Sequence, residues 1–233
     1  MKSKTWLYGL CVLTLMIIMG CSFFQVTKPS GEPSSIAVEA VVPTEIPHPT
    51  STATVQSTIP GWVKFEGRNI ELWLPDSYTG GDLTQDLDLI VEKLRSLGSE
   101  YESMANLIEQ NPDVFVIWAF DSVVGSSGSL TSVAITTEKV LSAISIDTYL
   151  DTALTQFPSS FVVTDRKIVK LNQHEAGRLE IEFTISGIKG KELLYAIKDG
   201  NKFWIITYGT SADEYDDRLG DFEQSARTFK VNN

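Results

Sequence analysis

The chain has 233 residues, 42% of them hydrophobic and 21% charged, with a formal net charge of −11 at pH 7. Its length allows one or two domains, and its acidic balance excludes nucleic acid and anionic headgroups as partners held by charge, since such surfaces repel it. The only two cysteines are Cys11 and Cys21, so no disulfide can form in the sequence that follows and the fold must rest on its core.

Residues 1–20 begin with Lys2 and Lys4 and continue as an apolar run from Trp6 to Met19, broken by Gly9 and Thr14. This is the layout of a secretory signal. The run is about 14 residues, short of the roughly 20 that a membrane span needs; read on through Phe23 and Phe24, it also fits an uncleaved anchor. It ends in Ile18-Met19-Gly20-Cys21, which resembles a bacterial lipobox, with an aliphatic residue three positions before a cysteine and a small residue next to it. The resemblance implies cleavage before Cys21 and its modification by palmitate-type acyl chains. Two chains, at about 0.8 kcal/mol per buried CH₂, anchor a protein stably. Cys21 is therefore the candidate lipidation site, and the expected location is the extracytoplasmic face of the cell membrane. Loss of Lys2 and Lys4 would leave the mature chain more acidic still.

Residues 21–60 are rich in Ser, Thr and Pro, as in Lys28-Pro29-Ser30-Gly31-Glu32-Pro33 and Pro47-His48-Pro49-Thr50. Too little apolar surface is present to offset chain entropy, and a disordered stalk is predicted. Its reach is about 35 Å as a flexible coil and about 120 Å as extended polyproline. It is either a spacer across a cell-wall or glycan layer or a passive linker.

The folded domain is expected over residues 61–233. Trp62-Val63-Lys64-Phe65 and Ile70-Glu71-Leu72-Trp73-Leu74 alternate apolar and polar residues around Glu66-Gly67-Arg68-Asn69 and predict a β-hairpin. Tyr78-Thr79-Gly80-Gly81 reads as its exit turn. Leu83, Leu87, Ile90, Leu94 and Leu97 form one helical stripe that Gly98 ends. Ser99 with Glu102 reads as a capping box for a second helix, which stops at Asn111-Pro112. The unbroken apolar run Val114 to Phe120 predicts a central strand covered on both faces.

A loop follows at Gly125-Ser126-Ser127-Gly128-Ser129, then a strand from Leu130 to Glu138 and a helix from Ile146 to Phe157. Four strands come next: Phe161 to Leu171, Glu175 to Ser186, Lys191 to Lys198 and Lys202 to Tyr208. Within them Leu179, Ile181, Phe183 and Ile185 face one way, and Arg178, Glu180, Glu182 and Thr184 the other. Asp199-Gly200 reads as a two-residue hairpin turn. Ser211 with Glu214 reads as a capping box opening a last helix with Ala212, Tyr215, Leu219, Phe222 and Ala226 on its buried side. Phe229 to Val231 is a short closing strand.

This order predicts an α+β domain, an antiparallel β-sheet with helices packed on it. The opening hairpin ending in Leu74-Pro75, the meander from Arg178 to Tyr208 and the helix before Arg227-Thr228-Phe229-Lys230 resemble the PsbP-like α/β/α sandwich superfamily. That superfamily includes photosystem II extrinsic subunits, a Ran-binding import factor and many bacterial lipoproteins. The stretch from Asp82 to Asn111 is an enlargement relative to its compact pattern. The succession of lipobox, Pro/Thr/Ser stalk and small domain also resembles exported proteins of filamentous green non-sulfur bacteria.

Few residues carry reactive chemistry. A nucleophile needs a base beside it, and outside the stalk only His174 could serve; Leu171-Asn172-Gln173-His174-Glu175 reads as an ordinary turn. Gly125-Ser126-Ser127-Gly128 misses the nucleophile-elbow spacing. Clustered Cys and His for zinc are absent from the sequence. The acids Asp213, Glu214, Asp216, Asp217 and Asp221, like Asp82, Asp86 and Asp88, lie at helix starts, where the dipole favours them, without a calcium-loop pattern. Trp62, Trp73, Trp118 and Trp204 fall on strands, either as core or, around Trp204 and Tyr208, as an exposed aromatic patch.

Taken together these features predict a lipid-anchored, non-catalytic binding or accessory module for an envelope protein or complex, with no cofactor. A small cell-surface hydrolase working through two carboxylates is the alternative from another class. A small-ligand or cation carrier, with an apolar pocket between sheet and helices, is the third.

Overall fold

The computed structural model describes residues 59–125, 127–185 and 187–232. The leader, Cys21, His48 and the expected stalk lie outside the described residues. The chain opens with β1 (Trp62–Gly67) and β2 (Ile70–Pro75), a hairpin whose turn is Arg68-Asn69. Both turn residues have positive φ, 42° and 68°, which matches the twist that a two-residue hairpin needs. Lys230–Val231 (β10) pairs antiparallel with β2, so β1, β2 and β10 make a small sheet of their own.

The main sheet has seven antiparallel strands in the order β3-β4-β5-β9-β8-β7-β6. They are β3 (Tyr78–Gly81), β4 (Ile117–Asp121), β5 (Ser132–Lys139), β6 (Phe161–Leu171), β7 (His174–Ile185), β8 (Ile188–Asp199) and β9 (Lys202–Ser211). Four helices pack on it: α1 (Leu83–Leu97), α2 (Glu102–Gln110), α3 (Ile146–Leu154) and α4 (Tyr215–Thr228). The α+β class follows directly from this arrangement.

Period-2 alternation divides the side chains between two faces. Ile117, Ala119, Leu193, Tyr195, Ile197, Trp204, Ile206 and Tyr208 point to the first face, where β1, β2 and α4 cover them with Phe65, Leu72, Leu74, Tyr215, Phe222 and Phe229. On the second face Leu179, Ile181, Phe183, Leu194, Phe203 and Ile205 meet α3 through Ile146, Tyr149 and Leu150. Further along that face Trp118, Phe120 and Ala134 meet α1 and α2 through Leu83, Ile90, Leu94, Met104 and Ile108. One helical layer therefore consists of two separate blocks, and a seam runs between them.

Several local expectations change. Tyr78–Gly81 is a strand paired with β4, not an exit turn. Its glycines serve close approach, since a Cβ on Gly80 would collide with the Trp118 carbonyl oxygen and Ala119. Neither capping box forms. Ser99 to Tyr101 is a single 3₁₀ turn, α2 starts at Glu102, and the Glu102 Oε1 accepts from Arg95 Nε at 3.1 Å instead. Ser211 ends β9, and α4 begins four residues later without a side-chain cap. The hairpin turn after β8 is Gly200-Asn201, with Asp199 paired to Lys202, because Gly200 takes the positive φ of 60°. The third helix ends at Leu154, not Phe157. By contrast α1 runs from Leu83 to Leu97 as its stripe predicts, capped by Asp82 and closed at Gly98 with φ 143°.

Candidate functional site

His174 opens β7 beside the turn at Asn172, whose φ is 53°. Its ring is half-buried and its Nδ1 lies 3.3 Å from the Lys198 carbonyl oxygen, a backbone contact rather than a pairing with a nucleophile. The Asn172 side chain donates to the carbonyls of Arg227 and Phe229, both at 2.9 Å, which ties this turn to the end of α4. The four tryptophans are core residues, Trp204 with only 2% exposure, so they form no exposed aromatic patch.

The loop at Gly125–Ser129 is strapped to the start of α4. Ser127 donates to Glu214 Oε1 from its Oγ at 2.9 Å and from its backbone N–H at 3.4 Å. Arg218 then donates to Glu214 Oε2 at 3.2 Å and to the buried Asp121 at 2.7 Å. Burial would raise the Glu214 carboxyl, but the Ser127 hydrogen bonds and the Arg218 charge outweigh it and hold it below its ordinary range. Burial, reinforced by Asp121, pushes the neighbouring Tyr78 phenol well up. Asp82 is occupied as the α1 cap, accepting from the Thr84 N–H at 2.9 Å. Among the described residues no three His, Cys, Asp or Glu side chains are grouped to hold a metal.

A second polar lattice lies under α4. Arg178 sits on the first face of β7, its side chain 8% exposed, and reaches Asp165 at 2.9 Å, Glu180 at 2.8 Å and Glu223 of α4 at 3.0 Å. Burial opposes its charge, but hydrogen bonding to Glu180 and the neighbouring Tyr195 outweigh it and keep the guanidinium protonated. Lys167, then Arg178, hold Asp165 low. The alternation of Arg178 and Glu180 was legible as a polar face. That α4 covers this face, and so converts it into a buried ion-pair network, was not.

Two carboxyls have raised pKa values, and both point to the second face. Burial pushes Glu192 up to about 8, and its Oε2 has no hydrogen-bond partner. Its row across the sheet is Ile181, Glu192, Gly209, Ser132 and Phe120, which places it on the seam between the α3 block and the α1–α2 block. Ser211, on the neighbouring row, also has an unpartnered buried Oγ. Burial raises Glu138 as well, moderated by the Tyr149 hydroxyl that donates to it at 2.8 Å. Glu138 stands six residues along β5 from Ser132, so at the rise of a strand the two carboxyls are roughly 20 Å apart. Glycosidic acid–base pairs need about 5–9.5 Å, so these two do not form one.

An open groove of about 440 Å³ occupies the end of the sheet that α4 leaves uncovered. Val162 lines it together with Phe183, Thr184, Lys189, Lys191 and Asp213. Lys191 is shared between Glu182, at 3.2 Å, and the Tyr215 ring, at 4.7 Å from its centroid. The groove is thus a mixed-charge recess beside an edge strand. Sequence alone had no signal for it, because it is made where one element stops short of another.

No family model matches the chain, and no curated protein matches it. It is similar in structure to cyanobacterial PsbP from Synechocystis, with 10% identity and a TM-score of 0.47 over 76% of this chain and 96% of that one. It is similar to LpqN of Mycobacterium tuberculosis, involved in cell envelope biogenesis, with 10% identity and a TM-score of 0.45 over 74% of this chain and 91% of that one. The immunity protein TplEi of Pseudomonas aeruginosa gives 9% identity and a TM-score of 0.41 over 74% and 99%.

Proposed function

We propose that this chain is a lipoprotein anchored through Cys21 on the extracytoplasmic face of the membrane, with its α+β domain acting as a non-catalytic binding or accessory module for an envelope protein. The anchor rests on Ile18-Met19-Gly20-Cys21 at the end of an apolar leader, about 40 residues before the first strand. Among the described residues no helix is long and apolar enough to cross a membrane. The observation that carries the binding role is the open recess beside β6, where charged and apolar side chains meet at the uncovered end of the sheet.

Mass spectrometry of membrane-extracted protein tests the anchor, with an acylated Cys21 as the expected N-terminus and any other N-terminus overturning it. Crosslinking in intact cells tests the module. One envelope protein is expected to be captured by the wild type and lost with Cys21→Ala; no reproducible capture overturns the reading.

A further inference from the structure

β6 is the terminal strand of the seven-stranded sheet, paired with β7 on one side and, among the described residues, with no strand on the other. It is 11 residues long, and an edge of that length presents a row of outward N–H and C=O groups able to accept another strand. The register shift between Val163 and Asp165 kinks its first part, which blunts an edge. From Asp165 to Leu171 the pairing with β7 is regular.

Composition singles out the same stretch. Val162 and Ile168 are 57% and 44% exposed, two of the six large apolar residues that the described residues leave at the surface. Arg166, Lys167 and Lys170 outnumber Asp165 on this strand, although the whole chain carries −11. Arg166 is held by Asp147 at 3.1 Å and Asp151 at 2.6 Å, and Lys167 by Asp165 at 2.8 Å. Lys170 has no carboxylate partner among the described residues. The strand itself thus carries more basic than acidic side chains on an acidic protein, and Lys170 is the cation that its own neighbours leave open to an incoming acid.

We propose that the edge from Asp165 to Leu171 takes an extended acidic segment of an envelope protein as an eighth strand. Backbone hydrogen bonds provide the pairing, acidic side chains lie opposite Lys167 and Lys170, and an apolar side chain lies against Ile168. This rests on the accessory-module reading and names the chemistry of its partner.

The test is fluorescence anisotropy of the full chain with a labelled peptide of about seven residues centred on Glu-Val-Val-Glu, which sets one glutamate opposite Lys167 on the first face and the other opposite Lys170 on the second, with a valine at Ile168. Binding is expected, weakening with salt. The exposed double variant Lys167→Glu/Lys170→Glu should lose about tenfold in affinity, since two ion pairs are replaced by repulsions. Lys93→Glu, on α1, should change nothing. The same peptide with alternate backbone nitrogens methylated should not bind, a control that needs no variant to fold. Equal binding of the methylated peptide, an unaffected double variant, or no binding by the wild type overturns the proposal. Cellular crosslinking separates it from the reading beneath it. A partner captured equally by wild type and double variant removes the edge assignment and leaves the accessory module standing; peptide binding without any captured partner does the reverse.

Discussion

Replacing Glu192 by Gln should change how stability depends on pH more than how large it is. The Glu192 carboxyl has no donor facing its Oε2, is 2% exposed, and titrates at about 8 against an ordinary 4.5. An acid whose folded pKa is raised stabilises fully below its unfolded pKa, and that contribution is lost as pH rises through the folded value. Here the loss runs from about pH 4.5 to about pH 8 and then levels off. At 1.36 kcal/mol per unit it amounts to about 3 kcal/mol by pH 7 and about 5 kcal/mol at the plateau, both upper estimates. Glu192→Gln cannot ionise, so this slope should vanish. Its buried amide, however, must find partners and costs about 1 kcal/mol where the acid is neutral. The two stability curves should cross near pH 5, with the wild type ahead by about 1 kcal/mol at pH 4 and below and the variant ahead near pH 8 and above. Urea unfolding across that range measures it. Asp165 and Glu214 are held low and titrate below this window, the raised tyrosines titrate above it, and Glu138, also raised by burial, is common to both proteins and cancels in their difference. Parallel wild-type and variant curves would refute the neutral, desolvated carboxyl on the seam.

Gly80→Ala should cost several times more than Gly209→Ala. A Cβ on Gly80 meets the backbone of β4, whereas one on Gly209 lies at 3.6 Å from the Glu192 side chain, an ordinary contact; thermal melts should show Gly209→Ala within about 1 kcal/mol of wild type. Arg178→Met removes the buried cation that bridges three carboxylates, of which Asp165 keeps Lys167 and Glu223 keeps Arg227, and should cost about 3 kcal/mol by urea unfolding, with Arg178→Lys intermediate because an ammonium cannot span the same fork. Ser127→Ala removes the side-chain bond that straps its loop to Glu214; limited proteolysis should cut within residues 122–130 faster, while the unfolding midpoint moves by no more than about 1 kcal/mol.

Elements whose pattern is local were readable. The α1 stripe of Leu83, Ile90 and Leu94 repeats at helical spacing, and Leu179, Ile181 and Phe183 repeat at strand spacing, so each announces both its type and its buried side. Both capping boxes were misread because the side chains that would close them are held by other partners, Arg95 of the preceding helix for Glu102, and Arg218 one turn on together with the distant Ser127 for Glu214. The strand at Tyr78–Gly81 was misread because glycine, which locally signals a turn, here allows a neighbouring backbone to come close.

By itself the sequence determined the α+β class and the sided character of nearly every strand and helix, since these depend on neighbours within a few positions. Only the tertiary structure decided that β6 lies at an edge, that α4 covers Arg178 but stops short of Val162, and that Glu192 lands on a seam between two helical blocks. Those outcomes depend on strand order and on which element reaches how far across the sheet. They are fixed by contacts between residues 50 or more apart in the chain, such as Trp73 with Thr228 and Asp121 with Arg218, where no local periodicity carries the information.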